Sequence, residues 1–137
     1  MEKHLLLSDE EFEKQFANCS FNSSWFTHEA HLRLAWIHIR KYGLDQAIDN
    51  VCHQIERYAE SLGAKDKFNK TVTVAALKAV YHFMNRSRSD NFEELIQEFP
   101  RLKTEFKGLM NAHYGIDIFK SPLARKEFIE PDKIPFD

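Results

Sequence analysis

Two histidines three residues apart, in His28-Glu29-Ala30-His31, are the residues of this chain with the clearest capacity for chemistry. On a helix, positions i and i+3 are rotated by only about 60°, so two imidazoles so placed converge on one point. Neutral imidazole is a ligand for zinc and iron, and three of them around an open coordination position make a catalytic metal site. His113 supplies the candidate third ligand, because it continues the apolar stripe of Leu102, Phe106 and Leu109 at the next turn of its own helix. The metal reading is therefore His28, His31 and His113 around a divalent ion, zinc or iron. A metal-free version keeps the same pocket and uses His28 or His31 as a general base, since a half-buried imidazole titrates near neutral pH.

The same helical geometry sorts the other side chains. Leu32, Ala35, Trp36 and Ile39 define the apolar centre of the second helix. His28 falls within that face, His38 lies on its flank as a fourth candidate, and Glu29, Arg33 and Arg40 fall on the polar side. His53 and His82 point to solvent on their helices, and His4 sits in a terminal stretch with no assigned element. Trp25, Phe26 and Trp36 bracket His28 as an apolar wall, while Asn69, orienting a ligand, and Thr73 reach it from the fourth helix. The expected pocket lies between the second, fourth and sixth helices and the C-terminal tail, lined by Trp25, His28, His31, Asn69, Thr73 and His113. Cys52-His53 is no nucleophile and base, because neighbouring helical positions diverge by about 100°. There is no glycine-rich phosphate loop and no His-Glu-x-x-His pattern.

Helices must carry these side chains, and the sequence predicts helices throughout. Ser8-Asp9-Glu10-Glu11 is a capping box, with Leu7 placed to staple onto Phe12 and with Phe12, Phe16 and Cys19 along one face of a first helix. Thr27 caps a second over 28–42 that Gly43 closes, and a third runs to residue 62 with Val51, Ile55 and Leu62 on its inner arc. Asn69 caps a fourth over 71–87, with Val72, Ala76, Val80, Phe83 and Met84 inward. Asp90-Asn91-Phe92-Glu93 opens a short fifth, Pro100 begins a sixth reaching His113, and Ser121-Pro122 starts a final turn over 123–128. The tail, 130–137, holds two prolines and is expected to lie extended with Ile134 and Phe136 tucked down. No strand-like alternation and no repeat interrupts this pattern. The fold class is all-α: one domain over 1–137, a bundle of about six helices plus the C-terminal turn and tail.

Composition agrees. A hydrophobic share of 43% with 12 Phe provides a core that needs neither metal nor disulfide to fold, and Cys19 and Cys52 read as buried, reduced thiols. A formal charge of −2 supplies no basic field for a polyanion, so nucleic acid is excluded as a main partner. The apolar run Leu5-Leu6-Leu7 is too short for a signal sequence, and no stretch approaches the ~20 apolar residues of a membrane helix. The expected setting is the cytoplasm, with no membrane partner.

Three segments resemble a group of small uncharacterised bacterial all-helical proteins. They are Trp25-Phe26-Thr27-His28-Glu29-Ala30-His31-Leu32-Arg33-Leu34-Ala35-Trp36, Lys67-Phe68-Asn69-Lys70-Thr71-Val72-Thr73, and Phe119-Lys120-Ser121-Pro122-Leu123-Ala124-Arg125 with Glu130-Pro131-Asp132. The resemblance implies a bacterial origin and a shared fold, and it brings no activity with it. The middle segment of that group has His-Glu where this chain has Asn69-Lys70, so a histidine ligand at that place is missing here. A looser likeness, of fold alone, is to DinB-type helical-bundle metal proteins with three histidines.

Two functions follow as expectations. The first is a histidine-lined site between helices for a small molecule or a metal. The alternative is a non-enzymatic binding or assembly module, a homodimer with structural histidines and contacts made by exposed aromatic side chains.

Overall fold

The computed structural model describes residues 2–136; Met1 and Asp137, the outermost residues of the two terminal segments read above, lie outside the described residues. All regular structure among these is helical, as the periodicity predicts. The α-helices are α1 (Asp9–Ala17), α2 (His28–Tyr42), α3 (Leu44–Ser61), α4 (Lys70–Met84), α5 (Phe92–Glu98), α6 (Arg101–Thr104), α7 (Phe106–His113) and α8 (Pro122–Lys126). Short 3-10 turns cover Lys3–Leu6, Ser23–Trp25 and Lys65–Lys67. The contacts gather into two compact units, Met1–Phe68 and Asn69–Asp137. No helix among the described residues is long and apolar enough to cross a membrane.

In the first unit, the Ser8 hydroxyl accepts from the Glu11 amide at 3.1 Å and Glu11 Oε1 accepts from the Ser8 amide at 3.0 Å, so the expected capping box is complete. α1 buries Phe12 and Phe16 completely. Cys19 does not continue that face: it lies beyond the helix with φ at 61°, and both cysteines are unbridged thiols, half-buried rather than buried. Thr27 caps α2 through the Ala30 amide at 3.2 Å. Gly43 alone joins α2 to α3, and its φ of 83° and ψ of 165° lie in a region open almost only to glycine. Phe16 is the hub of an aromatic cluster, with ring centroids 4.6 Å from Tyr58 and 4.8 Å from Phe26. The Tyr58 hydroxyl is satisfied by donating to the Phe21 carbonyl at 2.7 Å.

α2 departs from the amphipathic pattern assumed for it. It is buried on nearly every side from Leu32 to Ile39, and Glu29 and Arg33, expected on a polar face, are inside at 8% and 6% exposure. The reason is that α2 packs against both α1 and α3, so it has no solvent arc over its middle. On α3 the buried positions are Ala47, Val51, Ile55 and Tyr58, while Leu62 falls past the helix end and is exposed.

In the second unit, Asn69 caps α4 as expected, its Oδ1 accepting from the Val72 amide at 3.0 Å. The inward face of α4 differs in part from the expected one: Thr73 and Val80 are buried as expected, but Thr71, Val74 and Leu77 are buried with them, and Val72, Ala76, Phe83 and Met84 are only half so. The cap of α5 is Asn91 rather than Asp90, accepting from the Glu94 amide at 2.9 Å. The single sixth helix of the sequence reading is two, α6 and α7, parted at Glu105. Thr104 donates back to the Pro100 carbonyl at 3.1 Å, a side-chain bond to the i−4 carbonyl that bends helices. Along the tail, Phe136 is half-buried but Ile134 is not tucked down, being 56% exposed.

Candidate functional site

The histidines fall into three kinds. His4 and His38 are completely buried, His31, His82 and His113 are half-buried, and His28 and His53 are exposed, so His82 is less outward than its helical phase predicts. The inward placement expected of His28 is therefore corrected. It is the first residue of α2 and lies exposed, although Glu29 and Ala30 directly after it are buried, so position on the apolar arc does not enclose a residue at the helix end.

His31, on the same helix, is held on two sides. Its ring stacks on Phe26 with centroids 3.8 Å apart and planes 27° apart. Its Nδ1 lies 3.4 Å from the Thr27 carbonyl oxygen. A carbonyl only accepts, so Nδ1 carries the proton and the lone pair is on Nε2. Burial pushes the imidazole down to about 4, with the Thr27 carbonyl opposing and the charge of His28 adding to the fall. His31 is thus a neutral donor at physiological pH and too weakly basic to serve as a general base.

His113 repeats this arrangement within the second unit. Its ring stacks on Phe136 at 4.2 Å and 27°, and its Nδ1 donates to the Ile134 carbonyl at 2.6 Å, again leaving the lone pair on Nε2. The other candidates of that unit are occupied by the fold. Asn69 caps α4 and also donates to the Ile118 carbonyl at 2.8 Å, and Thr73 is buried within the same helix. Trp25 is half-buried in its 3-10 turn. His28, His31 and Trp25 belong to the first unit and Asn69, Thr73 and His113 to the second.

Sequence reasoning missed a buried polar cluster in the first unit. His4 Nε2 lies 2.6 Å from Glu29 Oε2, and the Arg33 guanidinium donates to the carbonyls of His4 and Leu7 at 2.6 and 2.8 Å and to Asp9 Oδ1 at 2.8 and 3.2 Å. Arg33 Nη1 also faces His4 Nδ1 at 3.3 Å. A guanidinium only donates, so Nδ1 accepts and the proton is on Nε2, given to Glu29. Burial holds His4 below its ordinary pKa, outweighing the Glu29 hydrogen bond and charge. A helical wheel could not find this cluster, because His4 lies in a short 3-10 turn outside the α-helices and Glu29 with Arg33 reads as an i, i+4 surface pair.

One donor atom each from Glu2, His4 and Glu29 lies within 4.8 Å of the others, which invites a metal reading. The chemistry opposes it. A tetrahedral ion wants donors about 3.3 Å apart and a deprotonated Nε2, with the distal Nδ1–H given to an acceptor. Here the 2.6 Å His4–Glu29 bond would have to open, and Nδ1 faces a cation. The proton positions are right for an Nε2 ligand at His31 and His113, and wrong at His4.

His38, the fourth candidate, meets Asn50 Nδ2 at 3.4 Å through Nδ1, and its Nε2 is buried with no hydrogen-bond partner. Burial lowers its pKa, the nearby Glu13 charge opposing and the Lys41 charge adding. Native pKa values below the unfolded 6.5 mean that His4 and His38 bind protons more readily once unfolded. Their contribution is complete above pH 6.5 and is lost as the pH falls towards the depressed native values. The urea midpoint is expected to fall between pH 7.5 and pH 5, with a shallower fall in His38→Gln; an unchanged slope in that variant would count against a neutral buried His38.

A cleft of ≈ 330 Å³ also opens on the first unit between α1 and α2. Asp9, Glu10 and Glu13 form the α1 wall, Arg40 and Lys41 the α2 wall, and Trp36 and Ile37 the floor. Lys41 Nζ donates to Glu13 Oε1 at 2.9 Å, the Tyr42 hydroxyl donates to Glu13 Oε2 at 2.5 Å, and the Arg40 guanidinium lies 5.0 Å over the Trp36 ring.

Compared with protein families, with curated proteins and with solved structures, the chain matches none.

Proposed function

We propose that this is a metal-binding helical protein in which the neutral imidazole of His31, with His28 one turn before it, donates to a divalent zinc or iron ion, a small molecule completing the coordination. The observation that carries this is the shared arrangement of His31 and His113: Nδ1–H on a backbone carbonyl, ring stacked on a phenylalanine, lone pair on Nε2. Ligating histidines are dressed this way, because the distal hydrogen bond fixes the tautomer and the ring orientation. His113 is the corresponding donor of the second unit. The depressed basicity of His31 favours this role over general-base chemistry, since no proton competes with the ion near neutral pH.

Elemental analysis of the protein, purified without a histidine tag, tests the reading. Stoichiometric zinc or iron is expected in the native chain, with a fall of at least about tenfold in His31→Ala and in His28→Ala. Metal-free protein, or full metal content in both variants, overturns it. Metal kept in these variants but lost in His4→Ala would place the ion at the Glu2, His4 and Glu29 cluster instead.

A further inference from the structure

The α1–α2 cleft plays no part in the imidazole site, and its construction is specific enough to name a ligand class. We propose that it binds a free amino acid with an apolar side chain, in its zwitterionic form. Its two walls carry opposite charge: carboxylates on α1, and the Arg40 and Lys41 cations on α2. A molecule with an ammonium and a carboxylate on one carbon matches both walls at once. An anion alone would face three carboxylates, and a cation alone would face Arg40 and Lys41.

The acidic wall has acceptor capacity to offer. Both bonds from Arg33 to Asp9 fall on Oδ1, so Oδ2 takes part in neither, and Glu10 stands beside it on the exposed side of the same helix turn. Each Glu13 oxygen already accepts a bond, from Lys41 or from the Tyr42 hydroxyl, which makes Asp9 and Glu10 the better receivers of the ligand's ammonium. On the opposite wall the exposed Lys41 ammonium gives one bond to Glu13 and has further N–H donors with which to meet a ligand carboxylate. The floor suits an apolar side chain. Trp36 is shielded by the Arg40 guanidinium, a planar cover that an aromatic or branched ligand side chain can share or displace. The volume, ≈ 330 Å³, lies at the small end of ligand pockets and holds one residue-sized molecule rather than a polymer.

Three probes separate the charges: L-phenylalanine, N-acetyl-L-phenylalanine without the ammonium, and L-phenylalaninamide without the carboxylate. They are titrated into the ¹⁵N-labelled full chain at pH 7, with amide and Trp36 indole signals as readout. L-Phenylalanine is expected to shift the signals of the cleft residues and to bind at least about tenfold more tightly than either analogue. Glu10→Gln, an exposed substitution that leaves the core intact, is expected to abolish the preference over the N-acetyl compound, and Lys41→Gln the preference over the amide. Equal binding of all three at the cleft would overturn the zwitterion. No shift with any probe would overturn the cleft as an amino-acid site and leave the imidazole reading to its own metal measurement. Shifts centred on His28 and His31 would also overturn the proposal, and would show the small molecule meeting the imidazoles instead.

Discussion

Arg33→Met is expected to destabilise the first unit by about 3 kcal/mol, the largest effect of any surface-to-centre polar change in this chain. The side-chain volume is nearly kept, so the loss measures the hydrogen bonds and not a cavity. Arg33 holds two backbone carbonyls, those of His4 and Leu7, together with Asp9 and the Nδ1 of His4. Once it is gone, the His4 carbonyl keeps the Leu7 amide at 3.1 Å but loses its charged donor beside a fully buried ring, whereas Asp9, half exposed, is rehydrated at little cost. For a chain of this size, about 3 kcal/mol corresponds to a fall in Tm of roughly 10 °C. Arg33→Lys should recover little, since one ammonium cannot span four separated acceptors, and Asp9→Asn should cost less than about 1 kcal/mol. A Tm for Arg33→Met within about 2 °C of the native value would show that the cluster adds nothing net.

The second large effect belongs to Thr71, which is completely buried at the start of α4. Its hydroxyl donates to the Glu127 carbonyl at 2.8 Å and accepts from the Ile129 amide at 3.0 Å, so one side chain stitches the segment after α8 to the helix. Thr71→Val keeps the shape and strands both backbone groups. A loss of about 2 kcal/mol is expected, seen as a lower urea midpoint, and the Ile129 amide should exchange with solvent faster by at least about tenfold. Thr71→Ser keeps the hydroxyl and is expected to restore the protection. Unchanged exchange at Ile129 in the valine variant would remove Thr71 from the role assigned to it.

How much of this was legible in the residues depends on whether the information was local. The caps were: Ser8 with Glu11, Thr27, Asn69 and Ser121 each mark a helix start through a bond to a backbone amide three residues on, and each was found where the sequence placed it. Gly43 was equally plain, because its backbone conformation is closed to other residues. The faces were less so. A wheel assumes one buried arc, which fails for α2, enclosed from two directions, and partly misphases α4, where Thr71, satisfied by backbone groups, is fully inward while Val72 and Ala76 are only half-buried. The break at Glu105 follows from a threonine bonding back to its own turn, a choice between competing local bonds that composition does not decide.

For the site, the residue pair was legible and its chemistry was not. His28 and His31 stand out by spacing, but which nitrogen of His31 carries the proton is set by the Thr27 carbonyl, and its loss of basicity by Phe26 and the surrounding core. The His4, Glu29 and Arg33 cluster was invisible for a related reason. It joins positions 25 to 29 residues apart, and only the folded chain reveals that an apparent surface pair on α2 faces a turn from the other end of the unit.

The long reach of these stitches imposes an order on biosynthesis. The first unit acquires its last deep partners once α2 and α3 have left the ribosome, so its core can close while the rest is still being made. α4 is less fortunate: Asn69 meets Ile118 only 49 residues later, and Thr71 meets Glu127 after 56. At ordinary elongation rates that is an interval of about 3–10 s in which an apolar helix has emerged without the segment that covers its start. Nascent-chain chaperones would find their natural foothold there, on the second half of the polypeptide and not on the first.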